Sequence, residues 1–275
     1  MLRKLLKYDF LSVIKFWCIA AITSLGLGAL AGGCINVFNT DRHLPLIVDT
    51  SAVIIFVIAL IGIVAFSLLS MILVYVRFYK NLFTDEGYLT FTLPVKISQI
   101  LNSKIILGWV VSIAALIVTF IDLFVMLAIG IPDEIFNIEN YRHLIEILKI
   151  LVEKIGWYLI VYILEGILLF GLFVLFAQLF LNACITFAAL ITKKARVITA
   201  IGIYYVANGI FSFILEMIII FAAPSLIEKM VGLTENTLHI AFIISLLSAV
   251  VFCFMGCMLL YAFQYWMLDR KLNLS

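Results

Sequence analysis

Three features of this sequence predict an all-α membrane protein with six membrane-crossing helices. Of its 275 residues 66% are hydrophobic and 12% charged, with a mean hydropathy of +1.26, whereas a soluble domain is roughly 45–50% apolar. Its apolar residues fall in continuous runs rather than in alternation, which selects helices over a barrel, because backbone amides in lipid must find partners within the chain. A bilayer core of about 30 Å needs roughly 20 apolar residues per crossing. Runs of that kind cover Phe16–Phe38, Ala52–Tyr79, Ile105–Ile131, Trp157–Phe180 or beyond, Ile198–Ala222 and Ile240–Phe263.

Ahead of the first run, residues 1–15 (MLRKLLKYDFLSVIK) repeat Leu2, Leu6, Phe10, Val13 and Ile14 at helical spacing. Arg3, Lys4, Lys7 and Lys15 stay largely off that stripe. The segment reads as a separate amphipathic helix on the membrane surface, its basic edge toward anionic headgroups. It either anchors the first span or also touches a cytoplasmic partner. Residues 16–275 form the six-helix transmembrane domain.

An even number of spans puts both termini on one side, and the basic residues choose which. One side carries Arg3, Lys4, Lys7, Lys15, Arg77, Lys80, Lys96, Lys104, Lys193, Lys194, Arg196, Arg270 and Lys271. The other carries only Arg42, Arg142, Lys149, Lys154 and Lys229, and together these account for all 18 Lys and Arg. The expected topology is a multi-pass protein of the cell (plasma) membrane with both termini and the segment Arg77–Lys104 cytoplasmic.

On the opposite side the first loop, Asn39–Ser51, is short. The second, Pro132–Gly156, contains a helical repeat over Tyr141–Ile155, with Leu144, Ile147, Leu148 and Leu151 apolar and Glu146, Lys149, Glu153 and Lys154 polar. It predicts a helix at the outer surface. The third, Pro224–His239, has few charges and reads as short helices dipping back toward the membrane. The run Trp157–Leu190 would reach about 51 Å as one helix, so it must tilt, project from the membrane or break, with Gln178 and Asn182 as break points.

Chemistry-bearing motifs are sparse. The sequence has no G-x-x-x-x-G-K-[ST], H-E-x-x-H or G-x-S-x-G, so neither P-loop ATP hydrolysis nor those hydrolytic chemistries are expected of this chain. His43, His143 and His239 fall in the outer loops or at their edges and read as solvated. The five cysteines, in or beside apolar runs, read as small packing residues. Ala29-Leu30-Ala31 mimics a signal cleavage site, but the apolar run continues past it and no cleavage is expected. Three acids, Asp122, Glu165 and Glu216, lie within the spans. A carboxylate at that depth needs a partner, a wet cavity or a proton. Helical rise puts Asp122 and Glu216 about 27 Å up from the cytoplasmic side and Glu165 about 12 Å below the outer end. Two readings follow: an acidic lining for a cationic or amphipathic passenger, or carboxyls held between helices.

The polar segment Arg77–Lys104, RFYKNLFTDEGYLTFTLPVKISQILNSK, stands out between two apolar runs. Phe78–Phe83 continues the second span out of the membrane, Asp85-Glu86-Gly87 supplies a turn with helix-capping acids, and Tyr88–Leu93 presents aromatic and apolar side chains. Apolar groups in water attract cover, so the segment reads as a docking element. Here the chain resembles the permease subunits of ABC-2 type ATP-binding cassette transporters, in the form found in Gram-positive bacteria. Those too have a basic amphipathic N-terminal helix, six spans and, between spans two and three, a coupling helix that opens on an acidic residue and Gly and closes on Pro-Val, here Glu86-Gly87 and Pro94-Val95. Thr90 and Phe91 stand where a further acid is common, and the Gly-to-Pro spacing is shorter.

The resemblance implies the ABC-2, type V-like exporter architecture. A separate ATPase subunit, present twice and carrying ATP and Mg, would grip Asp85, Glu86, Gly87, Tyr88, Leu89, Phe91 and Pro94, with Lys193, Lys194 and Arg196 as a lesser contact. A second permease copy or a paralogue would face this one across the passenger's path. The resemblance thus implies protein and membrane lipid as partners, not nucleic acid, and a chain that is expected to bind no cofactor or metal itself and not to be an enzyme. The expected activity is export of a peptide, lipid or drug-like amphiphile. The rival readings are an ion- or proton-coupled secondary transporter using the intramembrane acids, and a non-transporting sensor or assembly component.

Overall fold

The computed structural model describes residues 2–39, 45–92, 95–192, 195–230 and 234–270, and among these all regular structure is α-helical. In chain order the helices are α1 (Leu2–Asn39), α2 (Leu46–Phe83), α3 (Asp85–Thr92), α4 (Ile97–Gly130), α5 (Pro132–Ile135), α6 (Ile138–Ile155), α7 (Tyr158–Ile191), α8 (Arg196–Met230) and α9 (Glu235–Arg270). Six are long and apolar enough to cross a membrane: α1, α2, α4, α7, α8 over Arg196–Ile218, and α9 over Thr237–Asp269. Their outer surfaces expose large apolar side chains such as Ile22, Ile61, Phe120, Phe173, Phe213 and Phe254. A water-soluble monomer seldom shows so broad an apolar surface; hydrocarbon suits it.

Contacts divide the chain into two compact units. The first contains α1, α2 to Arg77, and α4 from Ile106 together with α5 and α6. α2 runs antiparallel to α1: Val13 shares a cluster with Val74, the Trp17 and Phe66 rings are 6.0 Å apart, and Phe38 meets Phe56 edge-on at 6.3 Å. α4 runs parallel to α1 through a seam of small residues. A Cβ on Gly28 would lie 3.0 Å from Asp122 O, and one on Gly32 would lie 2.6 Å from Met126 O. Farther along, Asn36 Nδ2 donates to Ile129 O at 3.2 Å. Bare backbone at Gly28 and Gly32 lets the helices approach more closely than side chains would allow, the usual basis of association where lipid removes the hydrophobic drive.

The second unit contains the end of α2 from Phe78, α3, α4 to Ile105, and α7, α8 and α9. α7 packs most extensively on α9, in parallel, and less on α8. Cys257 Sγ donates to Leu172 O at 3.8 Å and Gln264 Nε2 to Leu179 O at 2.7 Å, while a Cβ on Gly256 would strike the Phe176 ring. The apolar core of this unit gathers Phe78, Leu82, Phe83, Ile100, Leu101, Leu179 and Leu268.

Several expectations change. No break separates residues 2–15 from the first span, because α1 is a single helix of 38 residues. Of its predicted stripe Val13 is buried beside Val74, Leu107 and Val111, Leu2, Leu6 and Phe10 are half-buried, and Ile14 is exposed, as are Arg3, Lys4, Lys7 and Lys15. The amphipathic pattern is thus satisfied by protein at least at Val13. α7 likewise runs unbroken for 34 residues, past Gln178 and Asn182. Those amides face the core instead of interrupting the helix. In the predicted third loop α8 continues through Pro224 to Met230, and α9 begins at Glu235, with 231–233 outside the described residues. His239 consequently sits in α9 rather than in solvent: its ring stacks on Tyr158 at 4.9 Å, and its Nδ1 is 2.8 Å from Tyr162 Oη. The helix expected over Tyr141–Ile155 is present as α6, starting at Ile138. Of the five cysteines none is in a disulfide; Cys34, Cys184 and Cys257 are buried, and Cys18 is exposed.

Candidate functional site

The segment Arg77–Lys104 folds as a tight reversal from α2 through α3 into α4. Only Thr84 separates α2 from α3, and its hydroxyl donates back to Lys80 O at 2.5 Å while its carbonyl accepts from Gly87 N–H at 2.7 Å. Asp85 and Glu86 therefore occupy the first turn of α3, where the helix dipole favours acids, and not a separate turn. So sharp a return brings α3 against the end of α2. A Cβ on Gly87 would lie 2.6 Å from Leu82 O and 2.8 Å from Leu82 C; only glycine admits that approach.

Polar contacts fix α3 to its neighbours. With the Asn81 amide oriented to satisfy both of its ends, Nδ2 donates to Glu86 Oε2 at 2.9 Å and Oδ1 accepts from Lys104 Nζ at 2.6 Å. Glu86 is exposed, Asn81 is buried, and Lys104 is only 5% exposed. Lys104, expected in the cytoplasmic approach to the third span, thus lies inside α4, whose first residue is Ile97. Its charge is the kind that burial tolerates only with such partners. Deeper in the same unit Gln178 Nε2 donates to Ile105 O at 3.3 Å, Thr186 Oγ1 donates to Asn182 O at 2.8 Å, and Asn182 is fully buried.

Two residues expected to meet an ATPase turn inward. Phe91 is half-buried and packs on the core of Phe78, Leu82 and Ile100. Arg196, at the start of α8, donates from Nη1 to Phe83 O at 2.6 Å and from Nε to Thr192 O at 3.3 Å. The guanidinium satisfies a terminal carbonyl that α2 cannot satisfy itself. Pro94, Lys193 and Lys194 lie outside the described residues, and of Asp85, Tyr88 and Leu89 only the helical backbone is described.

The three intramembrane acids occupy unlike surroundings. Asp122 is fully buried at the α1–α4 seam beside Gly28. Ser24 stands next to it but gives its proton to Ala21 O at 2.9 Å, and neither Asp122 oxygen has a hydrogen-bond partner among the described residues. It does not line an open cavity. Glu165 is half-buried with Oε2 shielded, and Glu216 is exposed. Among the described residues no group of His, Cys, Asp and Glu is arranged to hold a metal ion.

Sequence reasoning missed Asn81, the inward role of Lys104 and the Gly28–Gly32 seam. The seam had a signal, Gly28-Ala29-Leu30-Ala31-Gly32 with Ser24 one turn before, a small-xxx-small pattern. Asn81 had none, since its role depends on α3 folding back. No protein-family model matches the chain, nor does any curated protein or solved structure.

Proposed function

We propose that this chain is the membrane-spanning subunit of an ATP-driven exporter of the ABC-2 kind, with α3 as the element gripped by separate ATPase subunits. Two copies, or one copy and a paralogue, enclose the path of a peptide, lipid or drug-like amphiphile. ATP and Mg reside on the two ATPase subunits. The excess of Lys and Arg on the side of α3 supports a cytoplasmic position for it.

The observation that carries this reading is the bracing of α3. Gly87 lies on the Leu82 carbonyl, Glu86 reaches Lys104 through Asn81, and Arg196 holds the Phe83 carbonyl just before α3 begins. A push on this short helix therefore acts on α2, α4 and α8 together, as a coupling element requires. Exposed Glu86 is the contact offered to the ATPase, with Asp85, Tyr88, Leu89 and Pro94 completing it and Lys193 and Lys194 adding a smaller one. Phe91 and Arg196 serve instead to set the angle of the element. Glu165 and Glu216 are the acids left to meet a cationic passenger.

Co-expression of the full chain with any P-loop ATPase found encoded in an adjacent reading frame tests the proposal. Affinity purification should recover both, and Tyr88→Ala with Glu86→Ala should release the ATPase while the permease stays folded. Undiminished recovery with the double variant refutes the docking role of α3.

A further inference from the structure

α6 is an 18-residue helix without one buried residue. Its ends are made locally. Asn137 caps the start by accepting from Glu139 N–H at 2.9 Å, and Gly156, at φ 61°, closes the end with its N–H on Val152 O at 2.8 Å. Asn140 Nδ2 adds a tie to Glu134 O in α5 at 2.8 Å. What remains open is a long apolar side. At 3.6 residues per turn, Tyr141, Leu144, Leu148, Leu151 and Ile155 form one stripe, and the first four are exposed.

The charges on the other side are ordered. Glu139, Glu146 and Glu153, spaced by two turns, run down the middle of the polar face. Arg142 and Lys149, spaced the same way, mark one of its edges, and His143 and Lys154 mark the other. Bases at the edges and acids at the centre complement a lipid surface. The basic stems lie along the acyl boundary and their heads reach phosphates, while carboxylates point to water. His143 Nδ1 lies 3.7 Å from Glu146 Oε2, and both side chains are highly exposed.

The chain also holds α6 where lipid is. α4 ends at Gly130, and Ile131–Asn137 span at most about 25 Å before α6 begins. After it only Gly156 and Trp157, reaching about 7 Å, precede α7. Both flanking helices are long and apolar enough to cross the membrane, so α6 cannot move far from the surface at which they end. Trp157, next in the chain after Gly156, is exposed, and aromatic rings favour the interface.

We propose that α6 lies in the membrane interface at the Gly130–Tyr158 end of the spans, and that the occupant of its apolar face is the bilayer itself. The stripe sits about 5–10 Å into the headgroup–acyl boundary. This inference is independent of any transport activity.

Full-length protein with its native cysteines replaced is given a single Leu144→Cys, Leu148→Cys, Glu146→Cys or Glu153→Cys, labelled with a small fluorophore and reconstituted in phosphatidylcholine–phosphatidylglycerol vesicles. Nitroxide on the lipid acyl chains should quench the Leu144 and Leu148 positions several-fold more than aqueous iodide does, with the order reversed at Glu146 and Glu153. Equal iodide quenching at all four positions would mean a helix in water and overturns the proposal. Protection of Leu144 and Leu148 from both quenchers would mean cover by protein, a second copy or another chain, and overturns it equally. If the cysteine-free background does not fold, a fluorescent amino acid introduced genetically at the same positions gives the same readout.

Discussion

Arg196 Nη1 donates to the Phe83 carbonyl at 2.6 Å. This bond joins the first residue of α8 to the last residue of α2, one position before the reversal into α3. It spends on the chain's own backbone a guanidinium whose position suggested an external partner. A half-buried cation on a helix-terminal carbonyl is worth about 1.5–3 kcal/mol as a charged hydrogen bond. Arg196→Ala should therefore lower the unfolding temperature of the purified protein, and Arg196→Lys should recover only part of the loss, since an ammonium lacks the planar fork. An unchanged melting temperature for Arg196→Ala would refute the tie.

Gly87→Ala should disturb α3 specifically. Its new Cβ would stand 2.6 Å from Leu82 O, a backbone atom that cannot rotate away. Overpacking of this kind costs about 1–3 kcal/mol. The variant should fold but retain less ATPase in co-purification than Thr90→Ala, which removes only a bond to Glu86 O. Equal retention by the two would remove Gly87 from the argument.

Neighbouring glycines in α1 should behave oppositely. At Gly32 an added Cβ would meet Met126 O at 2.6 Å and Ile129 Cβ at 2.8 Å, while at Gly33 nothing lies within 4 Å. Gly32→Ala should destabilise the α1–α4 seam. Gly33→Ala should be neutral or stabilise by up to about 1 kcal/mol through helix propensity. Thermal unfolding in detergent, followed by intrinsic fluorescence, separates the two.

Asp122→Asn should leave the fold intact and leave export of cationic compounds unchanged. The acid is fully buried against α1, with no hydrogen-bond partner for either oxygen among the described residues, and a neutral amide of the same shape suits such a site. Glu165→Gln and Glu216→Gln should instead reduce efflux of cations more than of uncharged compounds. Efflux from energised vesicles measures both, and a loss confined to Asp122→Asn would invert the assignment.

How much of this was legible beforehand differs from element to element. α6 was readable because its apolar and charged residues alternate at helical spacing, so the helix and its open face are local facts. The reversal at Asp85–Thr92 was readable as a polar element between two apolar runs, but the inward turn of Phe91 was not. Gln178 and Asn182 looked like interruptions of an over-long helix, because a polar residue in an apolar run gives no sign of which way it faces. His239 looked solvated for the converse reason: its packing on Tyr158 and Tyr162 brings together residues far apart in the chain.

The sequence by itself determined that the chain has six helices long and apolar enough to cross a membrane. That follows from bilayer thickness and from the need of each amide for a partner a few residues away, both of which are local constraints. Tertiary structure alone decided that Lys104, Arg196 and Phe91 face inward and that Asp122 lies sealed at the seam with Gly28. A helix apolar on every side carries no periodicity to orient it. Its rotation is set by small residues and polar contacts that meet only when the helices pack.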